Sequence, residues 1–204
     1  MNNSSRVFTS AAQQAQADRG SAKAYERRMA EGFPDRVTEE LAKFIAEQDT
    51  AFIATATADG APYLQHRGGP KGFIRVLDKN TLAFADYSGN RQYITQGNLS
   101  ENNKAQLFLM DYAHRRRVKI WGEARVVDDD PALLQSLMPQ GYKARPEQVI
   151  LFRISAWDTN CPQHIPQLFA ADDVAAADGR LQARIAELET ELAGFRRAAG
   201  SPSQ

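Results

Sequence analysis

The chain has 204 residues, with 25 basic and 25 acidic side chains, a formal net charge of zero and a pI near 6.8. This length suits one substantial domain with appended helices, and the balanced charge excludes a general attraction to nucleic acid or anionic lipid. No apolar run approaches the roughly 20 residues of a membrane span, and the single cysteine excludes an intrachain disulfide. We therefore expect a cytoplasmic protein with no membrane and no nucleic-acid partner.

The N-terminal part predicts helices. Residues 1–34 indicate a polar arm followed by a short helix that stops near Gly32. A second helix is predicted over about 37–48, because its apolar residues share one face and Asp35 can cap its start.

From Ala51 the pattern changes to short extended segments separated by turn residues. "AFIATAT" and "YLQHR" flank an Asp-Gly turn, and "FIRVL" and "TLAFAD" flank "DKN", so two hairpins are predicted. Further strands are predicted at 104–111, 117–127 and 148–157. The pattern favours a mainly β fold with flanking helices, in which a six-stranded antiparallel sheet closes into a barrel.

The C-terminal part predicts a long helix. From Asp172 to Ala199, apolar residues recur at spacings of seven, four and three. This stripe is typical either of a short coiled coil or of a helix that lies on the barrel. We expect three parts: an arm and helix over 1–34, a barrel domain over 35–166, and the C-terminal helix with a disordered tail over 167–204.

Arginines are concentrated at the ends of the predicted strands. No dinucleotide-binding glycine motif and no P-loop occurs. Instead, Arg67 ends one strand, Arg75 lies within the next, Arg91 follows the fourth, and "HRRR" (114–117) opens a later one. Since the planar guanidinium suits bidentate contact with phosphate, several of them converging at one barrel rim would form a phosphate site. The alternative is that each is a solvated charge at a strand end.

The order "FIATATADGAPYLQHRGG…GFIRVLD…TLAFADYSGNRQ…KAQLFLMD…RVKIWGEARVV" resembles the FMN-binding split barrel of the pyridoxamine 5'-phosphate oxidase-like family, over about residues 35–160. The later "NCPQHIP" (160–166) resembles a segment of a bacterial branch described as predicted flavin-nucleotide-binding proteins. The resemblance implies a homodimer with FMN at the subunit interface and flavin-dependent redox chemistry on a small-molecule substrate. A non-catalytic flavin-binding or flavin-sensing protein, and a barrel that holds haem, are the alternatives.

The resemblance also assigns residues by position. The implied cofactor-binding residues are Arg67, Gly69, Phe73, Arg75, Ala85, Asp86, Gly89, Asn90, Arg91, Gln92 and Arg117. Among them Arg67, Arg75 and Arg91 would hold the phosphate, and Gly89 would turn the chain. Gln92 stands where the oxidase usually has lysine, and Arg117 where it usually has glutamine. The oxidase's C-terminal tryptophan, arginine and histidine pattern, which grips the substrate's phosphate, is not found, so a different substrate is expected.

Cys161 and His164 are weaker candidates for catalysis beside the flavin ring, where His164 could donate a proton. The alternative is that Cys161 is a small buried side chain and His164 caps a turn. The chain has only three histidines, and the spacing of Cys161 and His164 lacks further ligands, so no metal site is predicted.

Overall fold

The computed structural model of the protein describes residues 2–159 and 162–199, so Cys161 and the tail expected at 200–204 lie outside the described residues. The strands are β1 Thr50–Ala56, β2 Pro62–Gly68, β3 Arg75–Val76, β4 Thr81–Tyr87, β5 Lys104–Asp111, β6 Arg116–Val127 and β7 Pro146–Thr159. The helices are α1 Ser4–Val7, α2 Ser10–Asp18, α3 Ala22–Glu31, α4 Glu39–Ala46, α5 Ile94–Glu101, α6 Pro131–Leu137 and α7 Ala171–Ala199.

The described strands form one antiparallel sheet in the order β2-β1-β5-β6-β7-β4-β3. Within the described residues this sheet has seven strands, so the predicted count of six is wrong. Each of the seven corresponds to a segment predicted as a strand, and the shortest, Arg75–Val76 within "FIRVL", pairs with Ala83 and Leu82 at the edge. The rest of "FIRVL" does not extend this pairing, because Phe73 and Ile74 turn into the core and are 1% and 2% exposed.

One hydrophobic core lies inside the curl of this sheet. Buried and half-buried residues alternate along β1, as expected for a strand with one face in the core. Ile53 of β1 joins Leu107 of β5, Ile120 of β6 and Phe152 of β7 in a single cluster, and all four are fully buried. Strands β1 and β4 lie four strands apart in the sheet order, yet residues of both belong to this cluster. The sheet therefore wraps around the cluster as in a barrel.

Helix α4 packs its apolar face onto the same core. Leu41 and Ile45 are buried there. The Thr38 side chain accepts a hydrogen bond from the Leu41 backbone N–H at 3.2 Å. The cap is therefore Thr38, and the predicted cap at Asp35 is wrong.

A bulge bends β6 where it pairs with β7. The register between these strands shifts at Trp121 and Gly122. A Cβ at Gly122 would lie 2.1 Å from the backbone oxygen of Arg153 and 2.5 Å from the Phe152 ring. Only glycine allows this approach, so Gly122 fixes the place where the long strand bends.

The N-terminal helices are tied to the sheet by Asn3. Its side-chain amide donates to the backbone oxygens of Phe33 and Ser155, both at 2.8 Å, and its side-chain oxygen accepts from the Phe33 N–H at 2.7 Å. The Phe8 ring packs on Phe33, which in turn contacts Trp121 of β6. The arm is therefore part of the folded structure.

Helix α7 is the long C-terminal helix that the sequence predicts. Its large apolar side chains are exposed, by 46% at Leu188 up to 73% at Phe195. Despite its length, α7 is too polar to cross a bilayer, and no other helix of the part that the structure describes is long and apolar enough to do so.

Candidate functional site

A cleft of about 220 Å³ lies where β2 and β4 end and the following loop leads into α5. Among its lining residues are six of the predicted cofactor-binding residues: Arg67, Asp86, Gly89, Asn90, Arg91 and Gln92. Strands β2 and β4 are far apart in the sheet order, so it is the curl of the sheet that brings these residues together.

Arg67 is the more buried of the two arginines that line the cleft. Its Nε lies 3.0 Å from Oδ1 of Asp86, and the two side chains are only 18% and 14% exposed. Gln148 donates to the other Asp86 oxygen at 2.9 Å. The Arg67 Nη atoms make long contacts with Thr95 Oγ1 at 3.3 Å and the His66 backbone oxygen at 3.4 Å. Its Nε is buried and has no well-aligned hydrogen bond to any described residue, so the fork keeps capacity to bind an anion.

The loop between β4 and α5 holds two residues in the left-handed conformation. Arg91 has φ 59° and Tyr93 has φ 52°, a conformation that costs a residue with a side chain roughly 1–2 kcal/mol. The Asn90 side chain accepts from the Gln92 N–H at 3.2 Å, and Arg91 Nε donates to the Tyr93 hydroxyl at 3.2 Å. Gly89, which was predicted to turn the chain, does not have a positive φ.

Two carboxylates, Asp86 and Glu147, also line the cleft and balance its two arginines. The hydrogen bond to the Tyr93 hydroxyl, and then the charges of Tyr93 and Glu147, raise the pKa of Arg91. Burial raises the pKa of Tyr87, which therefore stays neutral at physiological pH. Arg91 is thus charged and Tyr87 neutral near pH 7.

Helix α5, which was not predicted, begins at this cleft. Residues from Tyr93 to Gln96 line the cleft, and the Tyr93 side chain at the N-cap makes no capping hydrogen bond within the described chain. Asn98 donates to Thr55 of β1 at 3.0 Å and anchors the helix. The first N–H groups of a helix have no acceptor within it and carry partial positive charge, so they favour an anion such as phosphate.

Four other predicted residues do not line this cleft. Phe73 is 1% exposed in the core, and a Cβ at Gly69 would lie 2.8 Å from its Cβ, so Gly69 makes room for Phe73. Ala85 is 3% exposed in a second cluster beneath α6. Arg75 is exposed on the edge strand β3, so within one chain it faces solvent.

Arg117 lies at a different cavity. This cavity has a volume of about 380 Å³ and is also lined by Arg28, Arg116 and Trp157. The Arg117 Nε is buried and finds no hydrogen-bond acceptor in the described parts of the chain. The predicted arginines therefore do not all converge within one chain.

Of the two weaker catalytic candidates, only His164 is among the described residues. It is exposed and has a left-handed φ of 62°. Over residues 2–159 and 162–199, no group of three or more His, Cys, Asp or Glu side chains could hold a metal ion.

Nine residues that line the cleft were not predicted, among them Tyr63, Gln65, Thr95 and Gln148. Tyr63 and Gln65 alternate with Arg67 along β2 and so share its face, and this period of two is a signal that could have found them. No comparable pattern marks Thr95, which depends on the unpredicted α5, or Gln148, which reaches the cleft through the pairing of β7 with β4.

Comparisons with known proteins agree with this architecture. A family model described as pyridoxamine 5'-phosphate oxidase matches residues 37–161, more than half of the chain. Among solved structures, HupZ of Group A Streptococcus has a TM-score of 0.50 and 19% identity, covering 65% of this chain and 99% of its own. An FMN-binding protein of Syntrophomonas wolfei has a TM-score of 0.47 and 10% identity, covering 72% of this chain and 97% of its own.

A protein of Clostridium acetobutylicum related to general stress protein 26, of the pyridoxinephosphate oxidase family, has a TM-score of 0.44 and 14% identity, covering 66% of this chain and 94% of its own. No curated protein matches the chain in sequence. The likeness to HupZ concerns the fold alone, whereas the family model covers the whole barrel, including both strands that lead to the cleft. The chain therefore belongs to the pyridoxamine 5'-phosphate oxidase-like family of FMN-binding split-barrel proteins.

Proposed function

We propose that the protein binds FMN between the two subunits of a homodimer and acts as an FMN-dependent oxidoreductase on a small molecule. The observation that carries this proposal is the convergence of Arg67, Arg91 and the N-terminus of α5 on one cleft. Two guanidinium groups and a helix N-terminus that line one cleft favour a phosphate over a neutral ligand.

The cleft fits the phosphate end of FMN. Asp86 holds Arg67 in place through Nε, and the Nη atoms, whose contacts within the described chain are long, are the groups that would meet an incoming anion. The left-handed Arg91 lies next to the first turn of α5. Backbone strain of this kind persists where the surroundings enforce it, and it is concentrated at ligand sites.

The size of the cleft supports a site shared between two chains. Its volume of about 220 Å³ is below the roughly 300–1,000 Å³ typical of complete small-molecule sites. One subunit thus offers room for the phosphate and the ribityl group attached to it, while the flavin ring would lie against a second subunit. Arg75 is exposed on β3, and the buried Arg117 Nε has no hydrogen-bond partner among the described residues. Both would then face the partner's cofactor or the interface.

The bound FMN would supply the electron transfer, and the chain would bind, orient and shield it from water. The substrate is expected to differ from pyridoxamine 5'-phosphate. The residue pattern that grips the phosphate of that substrate does not occur after Trp157, where the chain leads into α7 instead.

Flavin titration tests the proposal. We expect the purified protein to bind FMN. Arg91→Ala should weaken FMN binding by about 10–100-fold, as for loss of a charge-assisted hydrogen bond, and should have little effect on riboflavin binding. Arg115→Ala is a matched control, because Arg115 is also exposed and left-handed, at φ 53°, but lies in the hairpin between β5 and β6. Equal loss of both ligands would contradict phosphate contact at Arg91, and no uptake of FMN would contradict the proposal.

Anaerobic addition of NADH or NADPH tests the redox role. Loss of the oxidised-flavin absorption bands, followed by recovery with a panel of quinone and nitroaromatic acceptors, would support an oxidoreductase. Tight FMN binding without reduction by any donor would instead favour a non-catalytic flavin-binding protein.

A further inference from the structure

Helix α7 carries a stripe of apolar side chains with no cover. Val174, Leu181, Ile185, Leu188, Leu192 and Phe195 are between 46% and 73% exposed. Their spacings place Ile185 and Leu192 at the a positions of a heptad and the other four at d. A stripe of this kind is more stable against a partner helix than in water.

We propose that this stripe pairs with α7 of a second copy of the chain as a parallel, in-register, two-stranded coiled coil. Isoleucine at a and leucine at d, as at Ile185 and Leu188, favour two strands. The inference rests on the homodimer of the proposed function, because the uninterrupted stripe from Leu181 to Phe195 spans only about two heptads. Helices this short are marginal alone, and two barrels already in contact would hold the second helix at high effective concentration.

The charges beside the stripe select this orientation. Arg184 and Glu191 are at g positions, and Glu189 and Arg196 are at e positions. In a parallel pair in register, each g residue faces the e residue five positions later on the other chain. Arg184 therefore meets the partner's Glu189, and Glu191 meets the partner's Arg196. By symmetry the pair gains four attractive contacts and no repulsive contact between these charged positions.

Antiparallel pairing satisfies the same charges less well, since it sets g against g and e against e. In the register that matches Arg184 with the partner's Glu191, Glu189 faces the partner's Gln182, which is neutral. A shift by one heptad sets Glu191 against the partner's Glu191. Charge complementarity thus points to the parallel, in-register pair.

Disulfide cross-linking of the full-length chain tests the orientation. Cys161→Ser removes the single natural cysteine, and Leu188→Cys then places a thiol at a d position. In a parallel, in-register pair the two introduced thiols face each other, so mild oxidation should give a covalent product of two chains. Ala183→Cys is the matched control, because this exposed f position points away from the partner. We expect cross-linking at least about tenfold slower there.

Charge exchange tests the selection of the partner. Arg184→Glu places a carboxylate opposite the partner's Glu189 at both symmetry-related contacts. It should therefore slow cross-linking of the Leu188→Cys protein by about three- to tenfold. Adding Glu189→Arg should restore the rate. Arg184 also contacts Glu187 within its own helix, at 2.8 Å, and the second substitution does not repair that contact, so rescue reports pairing between chains. Arg180→Glu at a c position should leave the rate unchanged.

The outcomes separate this inference from the proposed function, because FMN binding is measured on the same samples. Cross-linking at 188 but not at 183 supports the coiled coil, even in a protein that takes up no FMN. A dimer that binds FMN but shows no preference for position 188 overturns the coiled coil and leaves the function standing. Three chains per assembly by mass measurement, or an absence of cross-links at position 188 because α7 lies on its own barrel, would each overturn it as well.

Discussion

Arg67 and Asp86 form a 3.0 Å ion pair although they lie on strands near opposite ends of the sheet order. Strand β2 is one edge, and β4 is five strands further along. In a flat sheet, at about 4.8 Å per strand, they would be roughly 24 Å apart. The pair therefore forms only because the sheet curls, and it couples closure of the barrel to the main cation of the cleft.

Substitutions at this pair should separate its two roles. Arg67→Ala leaves the largely buried Asp86 carboxylate without its cation, and we expect the free energy of unfolding to fall by about 1–3 kcal/mol. Arg67→Ala/Asp86→Asn should recover most of that stability. FMN affinity should stay low in both variants, because both lack the guanidinium.

Urea unfolding and FMN titration measure the two effects. Asp86→Asn alone keeps the guanidinium but loses the carboxylate that holds it, so its FMN affinity should lie between those of the wild type and Arg67→Ala. If Arg67→Ala and Arg67→Ala/Asp86→Asn both bind FMN as tightly as the wild type, Arg67 is not a phosphate ligand. If the double variant is no more stable than Arg67→Ala, the uncompensated carboxylate is not the source of the loss.

Gly122→Ala should destabilise the barrel. The added Cβ would lie 2.1 Å from the Arg153 backbone oxygen, so β6 and β7 would have to separate at the bulge. We expect a loss of about 3 kcal/mol in the free energy of unfolding, measured by urea denaturation. Gly97→Ala in α5 is the matched control, because no atom lies within 4 Å of its Cβ position, and it should gain about 0.5–1 kcal/mol. Similar effects for both would rule out a close-approach role for Gly122.

Asp111 should make stability depend on pH in the acid range. Burial alone would raise its pKa, but hydrogen bonds from Arg116 and His114 outweigh burial, so the pKa lies below the usual 3.8. A carboxyl whose pKa is lowered by folding stabilises the protein above its unfolded pKa, and this contribution disappears as pH falls through the folded pKa.

The comparison with Asp111→Asn measures this contribution. At pH 7 the variant should be less stable than the wild type by about 1 kcal/mol, and the difference should shrink as pH falls through the folded pKa of Asp111, where the carboxyl becomes neutral like the amide. A difference between Asp111→Asn and wild type that is constant from pH 7 to 2 would contradict the account.

The strands were predictable because each carries its own signal. The alternating burial of β1 and the turn after it each depend on a few adjacent residues. The stripe of α7 likewise depends only on residues of that helix. The same holds for Arg67 and Asp86, which end two such strands. Their contact with each other depends on the curl of the whole sheet, and here the family resemblance supplied what local patterns could not.

Helix α5 shows where local patterns fail. It lacks an amphipathic period, contains Gly97, and begins at Tyr93 in a left-handed conformation that no local rule assigns to tyrosine. Tertiary contacts hold it, among them the hydrogen bond from Asn98 to Thr55. The turn was assigned to Gly89 because glycine adopts positive φ most easily, yet Arg91 adopts it instead. Backbone strain at a ligand site goes against the conformational preference of the residue that bears it, so a single sequence does not reveal it.

Arg91→Gly should raise stability while lowering FMN affinity. Glycine accepts φ near 59° without strain, and after allowance for its greater freedom in the unfolded chain we expect a gain of about 0.5–1 kcal/mol. Arg115→Gly, at φ 53°, should gain a similar amount with no change in FMN binding. Urea unfolding and FMN titration of both variants make the comparison. A loss of stability on Arg91→Gly would show that its side chain contributes more than its backbone conformation costs, whereas unchanged FMN affinity would remove Arg91 from the phosphate site.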